Sequence, residues 1–233
     1  VLHMMMTSLF IALPVQLAKS GLSIEQHWQV YLPVLFLSFV FMVPMIIVAA
    51  KRGIEKNMFM VAIAMLVAAS GLMTLSSEFW PLVLTVFLFF IGFNFLEASL
   101  PAHVSRLSPA GQKGSAMGVY SSSQFLGAFL GGITGGYLVQ QFGFSYLFGA
   151  NAVLALSWLA IAAGMKLPAS SKRVSIPIEP SEYGDYQGLI DDISCCNGVM
   201  EATLVEDENR IYLKVEKSSY DRDRVDQLIR AFN

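Results

Sequence analysis

Residues 28–50 read WQVYLPVLFLSFVFMVPMIIVAA, 23 positions without a single charge. As a helix rising 1.5 Å per residue such a run is about 35 Å long, enough to cross a hydrocarbon core about 30 Å thick. Similar stretches lie on both sides, at 1–18, 57–76, 80–100, 117–139 and 146–165. Six spans are therefore expected. The turns between them are short and polar, and Lys and Arg alternate across them. Lys51, Arg52, Lys56, Arg106, Lys113, Lys166, Lys172 and Arg173 fall on one side, and Lys19 alone falls on the other. Cytoplasmic loops carry the basic excess, so the first set and the whole C-terminal tail are expected inside. Trp28 and Trp80 stand at the opposite ends of their spans, where an aromatic belt forms.

Composition agrees with two segments in two solvents. Apolar residues make up 55% of the chain and charged residues 14%, against about 25% in an ordinary soluble domain. Mean hydropathy is +0.58. The charge deficit is confined to the first 166 residues, and the acidic residues gather after Ser170. A net charge of −2 without a basic cluster argues against a nucleic-acid partner. The first apolar run lacks the basic leader and small-residue cleavage site of a signal peptide. The chain also begins at Val1 inside what reads as a helix, so a preceding part is expected.

The division reads as a six-helix bundle over 1–167, a linker over 168–174 and a small cytoplasmic domain over 175–233. After the polar linker, Val174, Ile176 and Ile178 alternate as in a strand that Pro177 weakens. Tyr186, Leu189, Ile190 and Ile193 recur at helical spacing. Beyond Gly198, Met200, Ala202 and Leu204 share one strand face. Asp207–Asn209 form a turn, and Ile211, Leu213 and Val215 alternate in the return strand. Asp221 can cap a last helix striped by Val225, Leu228, Ile229 and Phe232. The order βαββα is that of a ferredoxin-like α+β domain without its final strand.

Few residues carry chemistry. Glu97 is the one carboxylate inside a span; a charge there is costly, so it faces a cavity, finds a partner such as Arg106 or Lys113, or takes a proton. Asn94, one turn earlier, shares its face by helical spacing. Ser122 and Gln124 are candidates to line an aqueous path, with helix contacts as the alternative. The fifth span carries two ladders of small residues, Gly127, Gly131 and Gly135, and Gly132 with Gly136. That spacing lets backbones approach closely in lipid, for packing or for a helix that slides. His3 reads as a packing or interface residue. Cys195 and Cys196 are weak candidates for a soft metal, because adjacent thiols point apart and no histidine is near. No cofactor, zinc or catalytic motif is visible, so no cofactor and no enzyme activity are expected.

Four segments carry a family resemblance: KRGIEK at 51–56, PAGQKGSAMG at 109–118, GFNFLEASLP at 92–101 and GVYSSSQFLGAFLGG at 118–132. The chain resembles the C-terminal half, spans seven to twelve, of a major facilitator superfamily transporter. The stretch 92–136 looks like the YajR-type drug–proton antiporters, which end in a cytoplasmic ferredoxin-like YAM domain. The resemblance implies proton-coupled efflux of small hydrophobic compounds across a bacterial inner membrane. It also implies lipid, protons and a small-molecule substrate as partners, and an N-terminal six-helix half that this chain lacks. In that family the loop between spans eight and nine controls rocking, and Lys51, Arg52 and Lys56 occupy it here; plain cytoplasmic anchoring explains them equally. Two other readings stay open: a membrane-anchored sensor whose tail binds a ligand or soft metal, and a six-span homodimeric transporter.

Overall fold

The computed structural model describes residues 1–75, 78–108, 112–165, 171–178, 186–205, 208–216 and 219–232. Six long helices come first: α1 (Leu2–Lys19), α2 (Trp28–Arg52), α3 (Glu55–Met73), α4 (Phe79–Leu107), α5 (Lys113–Phe142) and α6 (Phe144–Ala163). In lipid a backbone has no water to bond, so apolar runs of this length satisfy themselves as helices. Among the described helices, five (α1, α2, α3, α4 and α6) are long and apolar enough to cross a membrane. The fifth, at 30 residues, is long enough, but its glycines, serines and glutamines dilute its hydropathy.

Helix α4 runs through Pro101 to Leu107, and α5 already begins at Lys113. The expected loop at 101–116 is thus helical at both ends. Polarity marked the edge of the apolar run, and the helix outlasts it. Pro101 has no N–H to give, which leaves the carbonyl of Glu97, four residues earlier, without its helical donor. Helix α2 ends at Gly53, whose φ of 66° provides the left-handed cap, with Lys51 and Arg52 in the last turn opposing the helix dipole.

The bundle is built from pairs: α1 on α5, α3 on both α4 and α6, and α2 on α4. Its interior is filled by Leu9, Leu13, Phe59, Ile63, Leu66, Phe89 and Phe148, all essentially inaccessible. A buried polar pair crosses it, where Asn151 Nδ2 on α6 donates to Ser8 Oγ on α1 at 2.8 Å.

The chain divides between Leu167 and Pro168 into two compact units. The second contains β1 (Ser171–Pro177), α7 (Tyr186–Ser194), β2 (Val199–Val205), β3 (Arg210–Glu216) and α8 (Arg222–Phe232). The sheet order is β1-β3-β2, with β3 antiparallel to both neighbours. That is compatible with the expected split βαβ order. Leu189, Ile193, Ile211, Leu213, Val215, Val225 and Ile229 close its core. Asp221 Oδ1 accepts from the Arg224 N–H at 3.1 Å, capping α8 as its position suggested.

Two details differ from the sequence reading. Residues 171–174, expected as linker, lie in β1, while 168–170 fall outside the described residues, as does Asp207 of the expected turn. Met200, expected on the inner face with Ala202 and Leu204, is 50% exposed. A bulge between Val199 and Glu201 shifts the alternation by one, so Val199 packs inward in its place. Gly198 precedes the bulge with φ +79°, and a Cβ there would lie 2.5 Å from the backbone of Ser219 and Tyr220.

Candidate functional site

Glu97 stands ten residues before the end of α4, about 15 Å along the helix axis. Its side chain turns toward α1 and α5. Gln124 Nε2, on α5, donates to Glu97 Oε1 at 3.1 Å and to the Tyr120 hydroxyl at 2.9 Å. Tyr120 and Gln124 are four apart, hence on one face of α5. The second carboxylate oxygen, Oε2, is buried and has no hydrogen-bond partner. It lies 3.8 Å from His3 Nε2 on α1, too long for a hydrogen bond but within reach of a protonated imidazole. The His3 ring meets Phe93 edge-on at 6.1 Å. A cavity of about 210 Å³ adjoins this group, lined among others by His3, Leu100, Tyr120, Ser123, Gln124 and Trp158.

The glycines explain why α1 and α5 approach closely enough to form this group. A Cβ on Gly131 would fall 2.2 Å from the Met4 carbonyl oxygen, and one on Gly135 would fall 2.9 Å from Ser8 Cβ. Gly127 and Gly132 have looser neighbours, at 3.6 Å (Met4 N) and 3.8 Å (Thr7 Cγ2), and Gly136 has nothing within 4 Å. The close backbone approach belongs to Gly131 and Gly135 of the first ladder. Gly92 plays the same part between α4 and α3, its would-be Cβ lying 2.6 Å from the Ala62 carbonyl oxygen.

The other candidates are dispersed. Asn94 does not join Glu97: its Nδ2 donates to Ser38 Oγ on α2 at 2.9 Å. The two residues are three apart, but Asn94 leans to the other side of α4. Ser122 is exposed. Lys51 and Arg52 are exposed at the end of α2, and Lys56 Nζ donates to the Ala163 carbonyl at 2.8 Å, near the end of α6. Arg106, weighed as a partner of Glu97, instead holds Glu55 with two prongs at 2.5 and 3.3 Å. Cys195 is exposed, and Cys196 Sγ donates to the Asp192 carbonyl at 3.5 Å. Burial pushes the Cys196 thiol above its ordinary value. No cluster of three His, Cys, Asp or Glu able to hold a metal occurs among the described residues.

Sequence reasoning missed Tyr120, Ser38 and Glu55, and took His3 for a packing or interface residue. The four-residue spacing from Tyr120 to Gln124 was a usable signal. The others come from different helices, and no local pattern announces them.

The model of the Major Facilitator Superfamily matches residues 1–195. The chain is 39% identical over 232 residues to the inner membrane transport protein YajR of Escherichia coli (strain K12), covering 98% of this chain and 50% of that protein. It is 36% identical over 132 residues to an uncharacterized transporter of Buchnera aphidicola subsp. Acyrthosiphon pisum, covering 56% of this chain and 34% of that one. A third relative, an uncharacterized transporter of Buchnera aphidicola subsp. Schizaphis graminum, is 34% identical over 159 residues, with 67% of this chain and 41% of that protein covered. The chain thus spans about half the length of the E. coli protein and less of the other two. With a family model matching most of its length, and helices apolar enough to cross a membrane, the chain belongs to the major facilitator superfamily, a family of transporters and not of enzymes.

Proposed function

We propose that the chain forms the second half of a proton-coupled secondary transporter of the bacterial inner membrane, exporting small hydrophobic compounds by alternating access. In this reading all six long helices span the bilayer, six more come from outside this chain, and the second unit is a cytoplasmic, ferredoxin-like regulatory domain. The single observation that carries the proton coupling is the setting of Glu97. One oxygen is held by an amide donor, and the other is buried without a donor, facing a histidine. A membrane-helix carboxylate with one oxygen left without a donor is a position at which a proton can be taken up and given back. The basic residues at the ends of α2, α3, α4 and α5 support the orientation. The glycine contact between α1 and α5 supports their acting as one element during rocking.

The test is acid-driven efflux from vesicles containing the native gene product, with tetraphenylphosphonium as probe. Glu97→Gln keeps the size and the bond from Gln124 but cannot release a proton. Efflux in the variant is expected to lose its dependence on the pH gradient, and gradient-dependent efflux at the parent level would remove Glu97 from the mechanism.

A further inference from the structure

Hydrogen-bond accounting around Gln124 leaves one donor unassigned. Both hydrogens of its side-chain amide are spent, one on Glu97 Oε1 and one on the Tyr120 hydroxyl oxygen. Tyr120 therefore accepts, and its own O–H must point elsewhere. Among the described residues nothing receives it. Tyr120 lines the cavity with Trp158, Leu100 and Gln124, and Gln124 is bonded in turn to Glu97. A half-buried hydroxyl in such a place, its oxygen fixed by a neighbour, offers a directed hydrogen bond into the cavity.

We propose that Tyr120 is a specificity-determining residue, and that the compounds bound beside it are apolar molecules carrying a hydrogen-bond acceptor such as a carbonyl, ether or ring nitrogen. The proposal rests on the reading that this cavity takes small hydrophobic cargo. The apolar wall and Trp158 supply most of the affinity, and the Tyr120 O–H selects among compounds of equal hydrophobicity. Gln124 is a positioning residue here. Both hydrogens of its amide are held by Glu97 and Tyr120, so it acts by aiming the hydroxyl.

The matched pair 9-fluorenone and fluorene tests this, since the two share a ring skeleton and differ by one carbonyl. Saturable binding of each to the native gene product in lipid nanodiscs is measured against empty nanodiscs. Fluorenone is expected to bind about five-fold tighter, the worth of one net hydrogen bond. Tyr120→Phe should erase that preference while leaving fluorene binding intact, which also shows that the cavity survives. Gln124→Leu, which keeps the hydroxyl but removes what aims it, should reduce the preference in part. Equal affinities in the parent protein, or a preference that persists in Tyr120→Phe, would overturn the role of Tyr120 and leave the cargo reading standing. Absence of saturable binding for both probes would overturn the cargo reading and this proposal together.

Discussion

Gly131 offers the sharpest test of how the bundle is assembled, because a control lies five residues along the same helix. An alanine Cβ at 131 would sit 2.2 Å from the Met4 carbonyl oxygen and 2.8 Å from Met4 Cα. Met4 would have to retreat by roughly 1.3 Å to restore an ordinary contact. Both atoms are backbone, so no side chain can swing aside, and α1 must move as a whole. Overpacking of this kind costs about 1–3 kcal/mol, and the backbone clash places Gly131→Ala at the upper end. Replacing glycine by alanine inside a helix returns about 1 kcal/mol. The net expectation is a loss of about 2 kcal/mol. Gly136 has nothing within 4 Å, so Gly136→Ala collects only the propensity gain, up to about 1 kcal/mol. The two variants carry the same chemical change and should differ by about 3 kcal/mol. Detergent-induced unfolding of the purified protein, followed by circular dichroism, measures the difference. Equal stabilities for the two variants would mean that α1 and α5 do not meet backbone to backbone at this position.

Two further outcomes follow from the Arg106–Glu55 pair and the tail. Arg106→Lys keeps the charge but loses one of two prongs on Glu55, and Arg106→Ala strands a carboxylate that is 23% exposed. Expected losses are under 1 kcal/mol and about 1–2 kcal/mol, below a fully buried pair because both side chains meet solvent. Glu55→Gln in the alanine background should recover part of the loss in a thermal-unfolding double-mutant cycle, and strict additivity would argue against the pair. For the tail, the thiolate is the reactive form, and a thiol pushed up by burial holds less thiolate at a given pH. Iodoacetamide at pH 8 should therefore label exposed Cys195 before Cys196, with Cys196 catching up as pH rises. Mass-spectrometric peptide mapping reads the order, and faster labelling of Cys196 would contradict it.

The helices were legible because a membrane imposes one rule on every residue of a span, and composition alone obeys it. Their ends were less so. At 101–107 and 113–116 the chain turns polar while remaining helical, and hydropathy registers only the first change. Pro101 strengthened the wrong inference, since a proline near a polar edge usually ends a helix and here lies within one. In the site, Glu97 and Gln124 were both named from sequence, and the fold puts them one hydrogen bond apart. Asn94 shows the limit of helical spacing as a guide. Its rotation by three residues sufficed to give it a partner on α2, and not the one on α5. His3 could not be linked to Glu97 in advance, because 94 residues separate them and only the crossing of α1 with α4 and α5 brings them together. In the tail, the alternation of β3 carried through as read, while the bulge after Val199 displaced Met200 with no residue type to signal it.

The composition of α5 places a demand on biosynthesis. Gly131 and Gly135 suit the face that rests on α1, and the glycines, serines and glutamines of α5 make it the least apolar of the six long helices. In the role proposed for it above, as a sixth span, it would enter lipid poorly on its own, since each turn of bare glycine backbone and each serine lowers the gain from leaving water. Helix α1 emerges far earlier and covers that face. On that proposal, the partner that makes α5 tolerable in a bilayer is already in place when α5 arrives. Damage at the Met4–Gly131 crossing is then expected to appear first as misoriented or rapidly degraded protein, before any change in the activity of the molecules that insert correctly.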